Sequence, residues 1–462
     1  MTMIRVAPPD EITSEELGMF REMADRWARL MSRNRLRMAH YEGEVNVKDL
    51  GISVPPPMAA KLKRVSMMWS RQAVDRIADC SVIDGISFVD GPPAGFREMV
   101  EANELFDQYD EVLPSQLIHG CSFWTVTAGE AGEPAAVISS HDAEHATALY
   151  DFRRRRVLAG LSIVDVDRHD PARATAANFF SPDGSIIEMR VNSKGQWRSR
   201  RFRCGSGRCM MEAMRHIPRK GKPFGQSAIT RSILSLEDEA NREAVRMVMH
   251  SELYTAPTRW VMGAPDDIFE NGRWEAYLGS IFALPINDEG DKPSTGSYSV
   301  GDFQPHIAYI RQLANQFAAE ASIPIHSLLY TEANPASAEA IEASRNDLVE
   351  KVAKVNRLNA RTLRNVGLLA LSLMQEAPVA ELGDNERSLR VDFANPRRAT
   401  LGQMADAASK TVADVPEFAG TRHYWKMKGY RDDEVDEIMS DLSRGNALAA
   451  LSTISAAMRD EG

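Results

Sequence analysis

The stretch His141-Asp142-Ala143-Glu144-His145 carries the most explicit chemistry in the chain, with two imidazoles and a carboxylate in the H-x-x-E-H spacing of inverted zinc peptidases. On a helix, histidines four apart share a face and can hold one metal ion, the glutamate sits beside the metal-bound water, and a third ligand comes from elsewhere. The flanks argue for another conformation. Ala135-Ala136-Val137-Ile138 and Ala148-Leu149-Tyr150 read as strands, which makes the motif a turn between them. So few fixed positions also recur often by accident, and a zinc metallopeptidase through His141, Glu144 and His145 is the alternative reading, not the leading one.

Other reactive groups are sparser. Cys204 and Cys209 would need two further ligands to hold a metal, with His216 the nearest candidate, and Gly205-Ser206-Gly207 between them favours a turn. Asp165 and Asp167 share a strand face and could bind a cation, but solvent-facing alternation gives the same pattern. Arg153-Arg154-Arg155-Arg156 is the densest basic run; between strand-like segments it reads as a solvated hairpin turn. No Walker-type phosphate loop is present in the sequence. No cofactor is expected.

The elements that must position such residues are more informative. Between Pro223 and Pro257, Ile229, Ile233, Leu236, Ala240, Ala244 and Val248 recur at helical spacing, with Ser227 expected as N-cap. A helix over 228–253 would be roughly 39 Å long. Its polar face carries Asp238, Glu239, Arg242, Glu243 and Arg246, and Asp238 and Arg242 have the spacing of an i,i+4 pair. From 256 to 302 short apolar pieces, Trp260-Val261-Met262 and Ile281-Phe282-Ala283-Leu284, alternate with Gly and Pro as strands and turns. A second helix returns over 303–321 with Ile307, Ile310, Leu313, Ala314 and Phe317. A third is expected to start with Asn334 as cap and Pro335 at the first helical position, and to run uninterrupted to 376, roughly 60 Å. Ile341, Leu348, Val352, Val355, Leu363, Val366 and Leu373 gather on one side of it, while Lys354, Arg357, Arg361 and Arg364 form a basic stripe nearly opposite. One compact core does not usually cover a helix of that length, so support from neighbouring subunits or another extended helix is expected. Beyond Pro378 a short strand at Val391-Asp392-Phe393 precedes helical segments at 399–412, 431–442 and 446–458.

Whole-chain properties are those of a globular protein. With 462 residues and 44% hydrophobic content the chain can bury two or three structural units. The apolar run near Val366 to Met374 is too short to span a bilayer, and Ala7-Pro8-Pro9-Asp10 after Arg5 argues against a secretory signal. Four cysteines do not suggest a disulfide framework, so cytoplasmic assembly is expected. The net charge of −10 excludes the cationic surplus by which proteins grip phosphate tightly.

A set of short motifs runs in order over about 300 residues: Tyr41-Glu42-Gly43, Leu50-Gly51-Ile52, Pro55-Pro56-Pro57, Ala73-Val74-Asp75, Asp84-Gly85, His119-Gly120-Cys121-Ser122-Phe123, Ala146-Thr147-Ala148-Leu149-Tyr150-Asp151, Pro223-Phe224-Gly225, Leu278-Gly279-Ser280, Gln304-Pro305-His306 and Asn334-Pro335-Ala336-Ser337-Ala338-Glu339-Ala340-Ile341. By their order and spacing the chain resembles the portal proteins of tailed bacteriophages, in the branch found in many actinobacterial phages. Gln226 stands where a basic residue is expected in close relatives, and His141–His145 where a shorter turn is commoner.

The resemblance implies an α+β portal-type fold: a mixed wing (1–225), a first stem helix (226–255), a small clip (256–302), a second stem helix (303–322), a tunnel loop (323–337), a long wing helix (338–376) and a helical crown (377–462). It implies a homo-oligomeric ring, usually a dodecamer, at one capsid vertex of the virion, assembled in the host cytoplasm and not a membrane component. Double-stranded DNA would enter and leave through it without sequence recognition. The partners implied are the terminase large subunit, a head–tail adaptor, and the major capsid and scaffolding proteins; ATP hydrolysis would come from the separate motor, and the chain itself would not be an enzyme. Ile323, His326, Leu328, Leu329, Tyr330, Glu332 and Asn334 of the tunnel-loop segment mix apolar bulk with few charges, which suits a collar that touches a duplex without gripping it. The other reading packs Leu328, Leu329 and Tyr330 into the subunit core. For the basic stripe, too, the commonest explanation is structural, an exposed face or one paired with an adjacent subunit, with direct DNA contact as the alternative. An acidic lumen would keep the DNA centred by repulsion, the alternative being that the charge merely aids solubility.

Overall fold

The computed structural model describes residues 6, 8, 12–45, 65–169, 174–255, 259–262, 294–297, 301–328, 338–397, 401–430 and 434–444. A capping box opens the first helix, α1 (Ser14–Glu42): Thr13 Oγ1 accepts from the Glu16 N–H, and the Glu16 carboxylate accepts from the Thr13 N–H. Gly43 closes it in the left-handed conformation. Phe20, Met23, Trp27 and Met31 follow at spacings of three and four and are buried.

Along the chain come α2 (Trp69–Ala78), β1 (Ile83–Ser87), α3 (Phe96–Ala102), α4 (Leu105–His119), β2 (Cys121–Ala128), β3 (Ala136–His141), β4 (Ala146–Asp151) and β5 (Arg156–Val166). They are followed by β6 (Ala174–Phe180), β7 (Ser185–Val191), β8 (Trp197–Arg203) and β9 (Met211–Arg215). Strands β4 to β8 form a five-stranded antiparallel meander in sequence order, and β3-β2-β9 a second, three-stranded sheet. The apolar stripe of α1 lies on the meander, where Phe20 meets Phe179 with ring centroids 6.3 Å apart, in a core shared with Leu161, Ile163, Ile187 and Met189.

A larger core gathers α2, α4, β2, β9 and three further helices: α5 (Arg231–Thr255), α6 (Gln304–Ala321) and α7 (Ala338–Met374). Between α5 and α6 the antiparallel pair β10 (Arg259–Met262) and β11 (Ser294–Ser297) is described, so the expected strand at Trp260 is present, while Ile281–Leu284 lies outside the described residues. After α7 comes a short helix, α8 (Asp384–Arg387), and then β12 (Arg390–Phe393) returns to pair with β1. That pairing ties the expected strand at Val391 into the first compact unit, which ends at Ala394. The second unit, from Asn395, contains α9 (Leu401–Asp414), α10 (Arg422–Met427) and a helix over 434–444; the segment 446–458 lies outside the described residues. The protein is thus mixed α and β.

Two glycines of the sequence motifs meet at the junction below α5. Gly120 ends α4 at φ +98°, Gly225 has φ +77°, and a Cβ on Gly225 would stand 2.2 Å from the His216 oxygen and 2.7 Å from the Gly120 oxygen. The close approach allows His216 N–H to donate to Gly120 O and Gln226 N–H to donate to His216 O, both at 2.9 Å. Ser227, expected as the N-cap of α5, instead donates to Ile118 O and accepts from the Ile229 N–H; Thr230 takes the capping role, accepting from the Ile233 N–H at 3.3 Å. The helix therefore begins three residues later than its apolar pattern suggested, because Ser227 is used to tie the turn to α4.

Lys351 crosses from α7 to the end of α6, its Nζ donating to Ala321 O at 2.8 Å. Burial pushes its ammonium down to about 8 from the ordinary 10.5, with Glu320 opposing.

Replacing Gly225 by Ala puts a Cβ against two carbonyls at positive φ and is expected to lower unfolding free energy by about 2–4 kcal/mol in urea titration. For Lys351 the unfolded chain holds the proton across pH 8 to 10.5 while the folded chain has lost it, so wild-type stability rises over that window. In chemical denaturation at pH 7.5 and pH 10, the wild type should gain about 2 kcal/mol relative to Lys351→Met; an unchanged difference would refute the burial of that charge.

Candidate functional site

Helices α5 and α6 form an antiparallel pair, since Thr230 at the start of one bonds Glu320 at the end of the other at 3.3 Å, and Glu243 midway meets His306 near the start of α6 at 2.6 Å. The polar face expected on α5 is present but mutually occupied. Arg242 donates to Glu239 at 2.9 Å, and Arg246 pairs with Glu243 at 2.9 Å and Glu239 at 3.4 Å. Asp238 faces His40 at 3.6 Å, and Arg242, its expected i,i+4 partner, opposes the rise that burial imposes on its carboxyl. Burial raises the Glu243 carboxyl, but the bonds from His306 and Arg246 outweigh it and hold it below the usual range. His250 stacks on Phe303 with centroids 4.5 Å apart, closing the pair at the end from which β10 and β11 project. In α6, Ile310, Leu313, Ala314 and Phe317 are buried as expected, whereas Ile307 is exposed.

Sequence reasoning missed the residue that fixes this pair to the body. Glu237 is 1% exposed and accepts from the Ser70 backbone N–H at 3.3 Å and from the Ser70 hydroxyl, with His40 Nδ1 at 3.1 Å. One turn on, Asn241 accepts from the Met67 N–H at 2.7 Å. The signal existed: Glu237 falls on the apolar stripe between Ile233 and Ala240, where a carboxylate has to find partners.

The long helix α7 buries Leu348, Val352, Val355, Leu363 and Val366 as expected. Leu368, Leu369, Ala370 and Leu371 are also buried, so the last part of the helix is covered within one chain. A buried polar chain sets its rotation. Asn359 donates to Gln116 Oε1 at 3.0 Å and to Tyr109 OH at 3.1 Å, Gln116 donates back at 2.8 Å, and Ser81 links Tyr109 to Asn356 at 2.7 and 2.6 Å.

The basic stripe divides. Arg364 is half-buried, its Nε donating to Leu389 O at 3.1 Å and its Nη2 to Arg387 O, so it ties α7 to the chain at the end of α8. Lys354 and Arg357 are exposed, with Glu350 4.0 Å from Lys354. Arg361 lines a cavity of about 650 Å³ together with Arg155, Arg156, Arg215, Arg219 and Lys220. Two basic features far apart in sequence thus converge. The Arg153–Arg156 run is the expected turn between β4 and β5, held by Asp151 Oδ1, which accepts from the Arg153 and Arg154 N–H groups at 2.8 and 3.0 Å. Arg215 lies over the Tyr150 ring at 5.1 Å on the same wall. Glu212 is the carboxylate of the cavity; burial raises it, and Arg208 at 3.5 Å opposes that rise.

In the tunnel-loop segment, Ile323 and Leu328 are buried in the main core and anchor the ends of a short 3₁₀ turn, Ile325–Leu328, while His326 is exposed. Of the residues in the packed reading, Leu328 is thus in the core. Leu329, Tyr330, Glu332 and Asn334, with the expected cap before α7, lie outside the described residues.

The H-x-x-E-H residues do not share a helix. His141 ends β3 with Nε2 3.0 Å from Thr125 Oγ1, and Asp142 caps the turn by accepting from the Glu144 and His145 N–H groups at 2.8 and 2.7 Å. His145 Nδ1 turns back to Asp142 at 2.8 Å, and burial pushes His141 down to about 4. Among the described residues no group of three His, Cys, Asp or Glu side chains is placed to hold a metal ion, and no helix is long and apolar enough to cross a membrane.

Among solved structures, a chain of the neck of an empty GTA particle computed with C6 symmetry shares 12% identity at a TM-score of 0.44, covering 86% of this chain and 98% of that one. The portal protein of Mycobacterium phage D29 is 25% identical over 422 residues, covering 87% of this chain and 84% of its own. That of Mycobacterium phage L5 is 25% identical over 389 residues, covering 80% and 77%. The family model described as phage portal protein, SPP1 Gp6-like, matches residues 21–444, from within α1 to the last described helix. This chain belongs to that family of phage portal proteins.

Proposed function

We propose that copies of this chain close into a dodecameric ring at one vertex of the virion capsid, and that double-stranded DNA passes along the axis during packaging and leaves by it at infection. The family match over residues 21–444 carries the reading. In it, α5 and α6 are the stem, the segment between them the clip, 323–337 the tunnel loop, α7 the spine of the wing, and the helical unit from Asn395 the main part of the crown. The terminase large subunit and the head–tail adaptor dock on the ring, the major capsid and scaffolding proteins surround it, and the energy for packaging comes from the separate motor.

The chemistry of the stem suits a conduit. Arg242 and Arg246 are already engaged by Glu239 and Glu243, so this face offers phosphate little free positive charge. Every phosphate contact releases counterions and holds the duplex in place, which a sliding polymer must avoid. Net charge of −10 per copy acts in the same direction once copies are arranged about an axis. Ile323 and Leu328, buried, would hold the base of the tunnel loop while the intervening His326 stays exposed.

In the phage that encodes this chain, heads assembled without it should be empty of DNA, and gold-labelled antibody against it should mark a single vertex of normal heads. DNA-filled heads lacking the chain, or label spread over the capsid surface, would refute the proposal.

A further inference from the structure

The cavity shared by the β4–β5 turn and α7 carries a large excess of positive charge. Arg155, Arg156, Arg215, Arg219, Lys220 and Arg361 line it, and among the described residues none of them is in an ion pair. Its one carboxylate, Glu212, is already engaged by Arg208. Phe152 stands at the same cavity 64% exposed.

Another surface has the opposite composition. Residues 96–111, which make α3 and the start of α4, carry Glu98, Glu101, Glu104, Asp107, Asp110 and Glu111 against the single cation Arg97. All six carboxylate side chains are exposed, and among the described residues none is in an ion pair. Acids in the first turn of a helix are stabilised by its dipole, which accounts for Glu98 and Asp107 but not for Asp110 and Glu111 further along. Phe106 lies among them, 40% exposed.

We infer that the acidic α3–α4 face of one copy docks against the basic cavity of the next, forming the heterologous contact by which copies of this chain join head to tail. This rests on the ring reading and assigns its interface. The two surfaces are different parts of one chain, so each contact leaves one of each kind free, and addition continues until the rotation closes. Charge complementarity selects the occupant: six cations facing one engaged carboxylate meet six carboxylates facing one cation. Phe106 and Phe152 supply an exposed aromatic on either side. Duplex DNA fits the cavity less well, because it presents a continuous track of one charge per about 1.7 Å, whereas this is a pocket of about 650 Å³.

The test uses the full-length protein, sedimentation velocity and native mass at low salt. One variant reverses the cavity, combining Arg155→Glu, Arg156→Glu, Arg219→Glu and Arg361→Glu; a second reverses the face, combining Glu101→Lys, Glu104→Lys, Asp107→Lys and Asp110→Lys. Each alone should lower the closed-oligomer fraction at least about tenfold, while an equimolar mixture, or all eight changes in one chain, should restore it to within about twofold. Loss of assembly through misfolding would not be rescued in this way. Variants that assemble like the wild type, or a loss that neither combination restores, would overturn the interface. So would a fluorescent duplex that binds the wild type and is released by the cavity variant while assembly is unchanged, since the cavity would then serve nucleic acid. A wild type that stays monomeric would refute the ring reading itself and the interface with it.

Discussion

The structure depends on how one long helix is held in rotation. A helix of 37 residues with an apolar stripe can turn by a fraction of a residue at little hydrophobic cost, because Leu and Val contacts are non-directional. Asn359 removes that freedom. Its amide is fully buried and bonded to both Gln116 and Tyr109, and Ser81 extends the chain to Asn356, so a rotation would strand several polar groups away from water at once. With the rotation fixed, Arg361 is delivered to the cavity and Arg364 to the carbonyls after α8.

The same device recurs on the helix pair. Glu237 and Asn241 lie on the face of α5 that packs inward and bond the first turn of α2, its leading residues and the end of α1. Glu243 and His306 then tie α6 to α5. Apolar burial already holds both helices in the main core, and the directional bonds to buried carboxylates fix a register that packing alone does not. In the proposed conduit this would matter more than any single contact with DNA, because the wall would have to keep its position while the polymer moves.

Much of this was legible in sequence where period and punctuation agreed. Ile233, Ala240 and Ala244 placed α5, Leu313 and Phe317 placed α6, and the strand flanks of His141 gave the turn. The motifs at Gly120 and Gly225 were visible as motifs, but their reason, two backbones meeting closer than a Cβ allows, exists only once α4 and the start of α5 are brought together. Ser227 looked like a cap for the same reason: local spacing cannot reveal that Ile118 O competes for its hydroxyl. The members of the basic stripe have different surroundings, which a helical wheel cannot show because it reports direction and not neighbours: Arg364 meets Leu389 O while Arg361 lines the cavity. Helix α1 was overlooked although Thr13 and Glu16 spell a capping box.

On the proposed reading, a subunit whose helix pair and long helix are locked by buried polar bonds, and which carries a basic cavity and an acidic face, is completed by its own copies. Electron imaging of the purified wild-type protein, with native mass on the same sample, tests that claim most directly. The account predicts closed annuli of twelve chains with an axial opening wide enough for a B-form duplex. Compact monomers, open filaments or rings without a passage would contradict it.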